Sequence, residues 1–459
     1  MKRLIRGADV FVDGALRGLD IVIAGESIEA LVSPGSGPEE AEVVDATGLV
    51  AIPGGVDVHV HTREPGYTHK EDLVTVSRAA AAGGYTTIFG MPNLNPATLT
   101  ADDLDSVLAL YDEKCIVDYN HNPAAKKIDE IPAMAERGIA AYKIYMVVDT
   151  GRTYPHPASI GVHDHGELLR AMEAIAETGL RLMVHPHDQA IMDVVEQRYW
   201  DRGDRSPVAY GKTLAAGDGM IWDTATATLL RLAEATGCKL HIVHAQTIRQ
   251  IEMFKQARER GVDVTAETNH WALFLGRMSD IEEQGAYVLS YHVPDHHREA
   301  VWAAMADGTI DMLSSDHAPH TREEKEIGWT DAWAAHTGTP GIQHQLPLMI
   351  DAMHQGRMGI DRLVDLVSTA PARVFGLERK GSLAPGCDAD IALLDLERTW
   401  TITNETVESK IGWTPYHGRT IKGAVARTMV RGTDVWVDDE VVGTPGHGMH
   451  VRSTTGGHR

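Results

Sequence analysis

His59 and His61 end the run Gly55-Val56-Asp57-Val58-His59-Val60-His61, placing two imidazoles two residues apart at the close of an apolar stretch that reads as a β-strand. Successive side chains of a strand point to opposite faces, so both rings face the same way. At the C-terminal end of a strand in a parallel barrel, where catalytic groups gather, two such rings make half of a metal site. Lys143, His185, His244 and Asp316 fall at corresponding places in later strand-like runs. Nitrogen and carboxylate ligands of this kind suit zinc, and also manganese, iron or cobalt, with zinc the expected metal. Residue type alone does not select them. The chain holds 24 histidines, and His187, His241, His270, His292, His317 and His320 lie close to the same predicted rim. Lys143 is a poor ligand while protonated; a low pKa or reaction with carbon dioxide would change that.

The elements that must position these groups can be counted. Eight strand-like runs alternate with helix-length segments: Val56–His61, Thr86–Asn93, Cys115–His121, Ala140–Met146, Arg181–Asp188, Lys239–Gln246, Asp263–His270 and Ile310–His317. Stretches such as Leu73–Ala82 and Thr224–Ala235 carry apolar residues at helical spacing. This alternation predicts an α/β chain, a (β/α)8 TIM barrel over residues 53–382. Short β-type runs separated by glycine-rich turns fill residues 1–52, and the same texture returns over 383–442. Both chain ends are therefore expected to build one small β-sandwich. The glycine- and histidine-rich tail, 443–459, has little to pack and reads as a free segment or an arm on a neighbouring subunit.

At 459 residues, with 43% hydrophobic and 23% charged residues, the chain has the length for such a barrel plus a satellite domain. It contains no apolar run long enough to span a bilayer, and its basic start lacks the apolar core of a secretory signal, so the cytoplasm is the expected compartment. Cys115, Cys238 and Cys387 are few and widely spaced, which fits free thiols. A formal charge of −23 argues against a nucleic-acid partner. An anionic small substrate would need a local basic clamp.

Several segments resemble the cyclic amidohydrolases of the amidohydrolase superfamily, the dihydroorotases, hydantoinases (dihydropyrimidinases) and allantoinases. They are Pro53-Gly54-Gly55-Val56-Asp57-Val58-His59-Val60-His61-Thr62-Arg63-Glu64-Pro65-Gly66, Tyr142-Lys143-Ile144-Tyr145-Met146, His241-Ile242-Val243-His244, Ser315-Asp316-His317-Ala318-Pro319-His320 and Thr414-Pro415-Tyr416-His417-Gly418-Arg419-Thr420. The resemblance covers nearly the whole chain. It implies a binuclear centre in which carboxylated Lys143 bridges two divalent metals. His59, His61 and Asp316 would hold one metal; His185 and His244, favoured over His187 and His241, would hold the other. It further implies ring opening of a cyclic amide or ureide by a metal-bridging hydroxide, with Asp316 carrying the proton, in a homodimer or homotetramer.

Arg63, two residues after His61, projects to the same face and can fork onto a carboxylate; a salt bridge to Glu64 or Glu71 is the plainer alternative. By resemblance to dihydroorotases, Arg63, Asn93 and His320 occupy positions that bind a ring carboxylate. The Lys143–Met146 strand and the Thr-Pro-Tyr segment look more like hydantoinase or allantoinase. The chain also departs from its relatives in Glu267-Thr268-Asn269-His270-Trp271, where a Pro-His pair is usual. It departs again in Tyr291-His292-Val293-Pro294-Asp295-His296-His297, where His292 becomes a candidate substrate contact, and at Val148, where hydantoinases place a tyrosine. The long segment Asp149–His165 could cover a substrate. The competing expectations are a dihydroorotase-like enzyme, an allantoinase or hydantoinase-type enzyme, and a non-catalytic scaffold of the same fold that should lack the ligands this chain retains.

Overall fold

A computed structural model describes residues 2–147, 158–162 and 164–455. Val148 and most of the 149–165 segment, with the covering role expected of it, lie outside the described residues.

Eight buried parallel strands form the central structure: β1 (Gly55–Val60), β2 (Tyr85–Gly90), β3 (Asp118–His121), β4 (Ala141–Tyr145), β5 (Arg181–His185), β6 (Lys239–Ile242), β7 (Val264–Asn269) and β8 (Met312–Ser314). With both faces covered, such strands need no polar alternation, which is why they read as near-continuous apolar runs. They pair as two arcs, β3-β2-β1 and β4-β5-β6-β7-β8. Parallel bridges join the arcs, Ala124 to Lys143 on one side and Val60 to His317 on the other. At these joins Lys143 N donates to Pro123 O at 2.9 Å and His61 N donates to His317 O at 2.9 Å. Both joins therefore coincide with candidate metal ligands. The predicted helix Leu73–Ala82 forms with those bounds, capped by Asp72, whose side chain accepts from Thr75 N. The predicted Thr224–Ala235 lies inside the helix Ala216–Thr236.

The chain ends fold together. Lys2–Arg6 lies between Asp20–Ala24 and Glu42–Asp45 in a four-stranded sheet, and Val50–Pro53 lies between Asp9–Val12 and Ile391–Thr401 in a seven-stranded one. Ile5, Val10, Ile21 and Ile23 pack with Ile391, Leu393 and Met429 in one buried cluster, so residues from the two ends of the chain share a core. One residue, Gly54, separates Pro53 from β1 at Gly55, so the sandwich runs straight into the strand bearing His59.

The tail differs from its expectation through Thr455. Tyr119 N donates to Met449 O at 3.0 Å, Val451 N to Tyr119 O at 2.8 Å and Ser453 N to Gly138 O at 3.2 Å. Its glycines and histidines offer little apolar surface, but its backbone satisfies groups at the barrel's lower rim. Beside it lies a buried charge cluster. Lys380 Nζ reaches Asp118 at 2.5 Å, Asp390 at 2.6 Å and Asp388 at 3.0 Å, while Arg431 also pairs with Asp118 and Met449 N donates to the same carboxylate at 2.9 Å. Breaking a buried pair strands its partner, at about 3–5 kcal/mol. Lys380→Met should therefore lower unfolding stability in urea by about that amount; a loss under about 1 kcal/mol would show that the cluster does not fasten tail, sandwich and barrel together.

Candidate metal centre

Just past the strand ends the backbone leaves ordinary strand geometry. Arg63, His244 and Asp316 have φ of 62°, 60° and 45°, a left-handed conformation uncommon outside glycine and frequent at functional sites. The ladder ends before these residues, so β6 stops at Ile242 and β8 at Ser314, short of the predicted Gln246 and His317.

These turns gather the predicted ligands. The His59 ring centroid lies 5.3 Å from that of His61 and 5.2 Å from that of His244, and His185 lies 4.9 Å from His244. One Asp316 oxygen sits 3.1 Å from His61 Nε2 and 3.4 Å from His59 Nε2. His59, His244 and Asp316 present ligand atoms all within 4.8 Å of one another. Lys143 is fully buried, and among the described residues its Nζ makes no hydrogen bond. Burial pulls its pKa down to about 8 against the opposing fields of Glu267 and Asp316. A buried, orphaned amine among imidazoles and carboxylates is costly as an ammonium. It fits a group that is to be converted into an anionic ligand.

The outer ring nitrogens are also committed. His59 Nδ1 lies 2.6 Å from Glu267 Oε1, His61 Nδ1 2.7 Å from Asn93 Oδ1, and His244 Nδ1 2.6 Å from Asn269 Oδ1. These acceptors require Nδ1–H, which leaves each Nε2 lone pair for a metal. The donor set thus fits divalent metal on observed geometry. Glu267, Asn269 and Asp57 are members that sequence reasoning missed. Asp57 is buried, its pKa raised by that burial to about 7, and it accepts from His59 N at 3.1 Å and from Ser315 N. Its signal was the alternation 57, 59, 61. Burial opposes ionisation of Glu267, yet His59 and His241 hold its carboxyl well below the usual range. His241 thereby acquires a role as a partner of Glu267 at 3.2 Å.

The predicted substrate contacts divide. Arg63 is buried, donates through Nε to Pro319 O at 3.3 Å and, among the described residues, pairs with no carboxylate. Glu64 is taken by Lys114 at 2.5 Å, and Glu71 lies 3.2 Å from His317. Desolvation weakens the Arg63 guanidinium's hold on its proton, opposed by Tyr145, Asp316, Glu324 and Tyr291, so the guanidinium stands beside the centre. His320 Nε2 lies 3.1 Å from Arg63 and Lys70 Nζ 3.2 Å from His320 Nδ1. Asn93 Oδ1 serves His61. His292 is not brought to the centre: its Nε2 meets Val288 O at 3.0 Å within its own loop. Its neighbour Tyr291 faces the site instead, 4.7 Å from His185 and 4.8 Å from His244, with Trp222 and Trp271 around it.

An excursion between two sandwich strands braces this rim from above. Trp413 Nε1 donates to His320 O at 2.9 Å, Lys410 N to Glu71 at 3.1 Å, and the Tyr416 hydroxyl meets His270 Nδ1. Trp413→Phe leaves the His320 carbonyl without its donor and should lower unfolding stability by about 1–3 kcal/mol with bound metal unchanged. Unaltered stability in a urea titration would mean that the excursion does not brace the rim.

The sequence profile of the amidohydrolase family matches residues 50–435. A D-hydantoinase of Streptomyces coelicolor is 31% identical over 99% of this chain and 98% of its own length. A dihydroorotase of Halobacterium salinarum is 33% identical over 96% of this chain and 97% of its own. Among solved structures, the L-hydantoinase (dihydropyrimidinase) of Arthrobacter aurescens superposes with a TM-score of 0.92 at 28% identity, covering 98% of this chain and 99% of that one.

Proposed function

We propose, for a chain that belongs to the amidohydrolase family and is a cyclic amidohydrolase, that it hydrolyses a ring C–N bond in a small heterocycle bearing an anionic group, in the manner of a dihydroorotase. The observation that carries this is Arg63, a buried guanidinium beside the centre with no carboxylate partner among the described residues. Burying a cation with no carboxylate in hydrogen-bonding contact is costly, and a ring carboxylate would satisfy it through two parallel hydrogen bonds. In a chain of formal charge −23, the cationic side chains of Arg63 and Lys70 meet across the neutral ring of His320 where the substrate would bind.

His59, His61 and Asp316 would hold one divalent metal and His185 and His244 the other, with zinc the expected ion. Lys143, carboxylated by carbon dioxide with loss of a proton, would bridge the two. Such ions lower the pKa of a bound water and polarise a carbonyl. Arg63, with Lys70 and His320 behind it, orients the ring by its anionic group. Tyr291, Trp222 and Trp271, packed around His185 and His244, would shield that side of the centre from water. Asp316, already within hydrogen-bonding distance of His61, accepts the proton of the attacking water and delivers it to the departing ring nitrogen. The ring therefore opens without releasing a bare amide anion. The enzyme is assigned to the cytoplasm as a homodimer or homotetramer; among the described residues no helix is long and apolar enough to cross a membrane.

A hydantoinase or allantoinase-type reaction on an uncharged ring is the second reading, favoured by the aromatic wall of Tyr291, Trp222 and Trp271. One metal-loaded preparation assayed on dihydroorotate, allantoin, hydantoin and dihydrouracil separates the two. Dihydroorotate should be the preferred substrate. Loss of the buried charge contact, about 2 kcal/mol or more, should make Arg63→Met at least about 30-fold poorer in kcat/KM on dihydroorotate, with little change on dihydrouracil. Preference for an uncharged ring, indifferent to Arg63, would favour the second reading.

A further inference from the structure

Three metal-facing histidines lean on outer acceptors of unequal charge. His61 and His244 donate to the neutral amide oxygens of Asn93 and Asn269 at 2.7 and 2.6 Å. His59 donates at 2.6 Å to Glu267, a carboxylate that is completely buried. The hydrogen bonds are equally short, so charge distinguishes them. The second Glu267 oxygen is anchored by His241 Nε2 at 3.2 Å, and His241 Nδ1 by Thr265 Oγ1 at 2.8 Å. This buried chain of hydrogen bonds fixes the carboxylate against His59. An imidazole that donates to a carboxylate becomes a more basic, more anionic ligand through its other nitrogen, and loss of such outer partners typically weakens metal binding about 10- to 100-fold.

We infer that the two metal positions are unequal, and that Glu267 makes the position served by His59 and His61 the tighter, first-filled one. Glu267 is thus a positioning and charge-supplying residue, acting through His59. The inference rests on the two-metal reading above but not on the identity of the ring, because it is read without substrate.

The test is a calorimetric titration of metal-free protein with zinc, repeated with cobalt(II) to follow the visible spectrum as each equivalent binds. Wild type should bind two equivalents in two resolved classes. Glu267→Gln should weaken the first class about 10- to 100-fold and leave the second within about twofold. Glu267→Asp, which keeps the charge on a shorter side chain, should fall between and serves if the glutamine variant does not fold. His185→Asn should retain the first class and lose the second. A single class in wild type, or equal weakening of both classes by the Glu267 variants, would overturn the inference. Failure of wild type to bind any metal would instead overturn the two-metal reading itself.

Discussion

Closure of the barrel fixes the centre. The two arcs of strands meet through short parallel bridges at Val60–His317 and Ala124–Lys143, so the backbone that seals the barrel is the backbone that carries His61, Lys143 and the turn around Asp316. Asp57 adds a side-chain tie across the first seam, accepting from both His59 N and Ser315 N. Left-handed conformations at Arg63, His244 and Asp316 are sustained because the surrounding ladder and hydrogen bonds over-determine them. The ligands converge as a consequence of closure, with little freedom left to them individually.

Electrostatics then divides the cavity. On one side aromatic rings pack tilted or edge-on against His185 and His244. On another side Arg63, His320 and Lys70 form a run of close polar contacts, reinforced by Glu324 at 2.9 Å from Lys70. Glu267, Asp316 and Asp57 are buried carboxyl groups at the same strand ends. The proposed roles in selectivity and metal binding therefore draw on the same few strand ends, and Arg63 stands two residues from His61, a candidate ligand, because strand alternation sets it there.

Much of the scaffold was legible because parallel barrel strands are apolar on both faces and bounded by turn residues, so all eight strands could be placed from the chain. The C-terminal bounds of β1, β6 and β8 ran long for a physical reason: the candidate ligands His61, His244 and Asp316 just beyond the ladder are still apolar-flanked but lie outside the strand pairing. His59, His61 and Arg63 were readable from period-two spacing, whereas Glu267 drew notice only as a departure near the substrate. Its contact with His59 spans 208 residues of sequence, and no local pattern reports such a pairing. His292, named as a candidate contact, turns instead to Val288 O in an aperiodic loop where no local pattern reports side-chain direction. The tail was misread because composition describes side chains, while its anchoring to Tyr119 and Gly138 is made by backbone groups.

The most direct test of the centre is anomalous diffraction from crystals grown with zinc. Two peaks about 3.5–4 Å apart should appear on either side of Lys143, one contacting His59, His61 and Asp316 and the other His185 and His244, with added density on the lysine amine. A single peak, or zinc bound only elsewhere, such as between Asp218, His296 and His297, would contradict it.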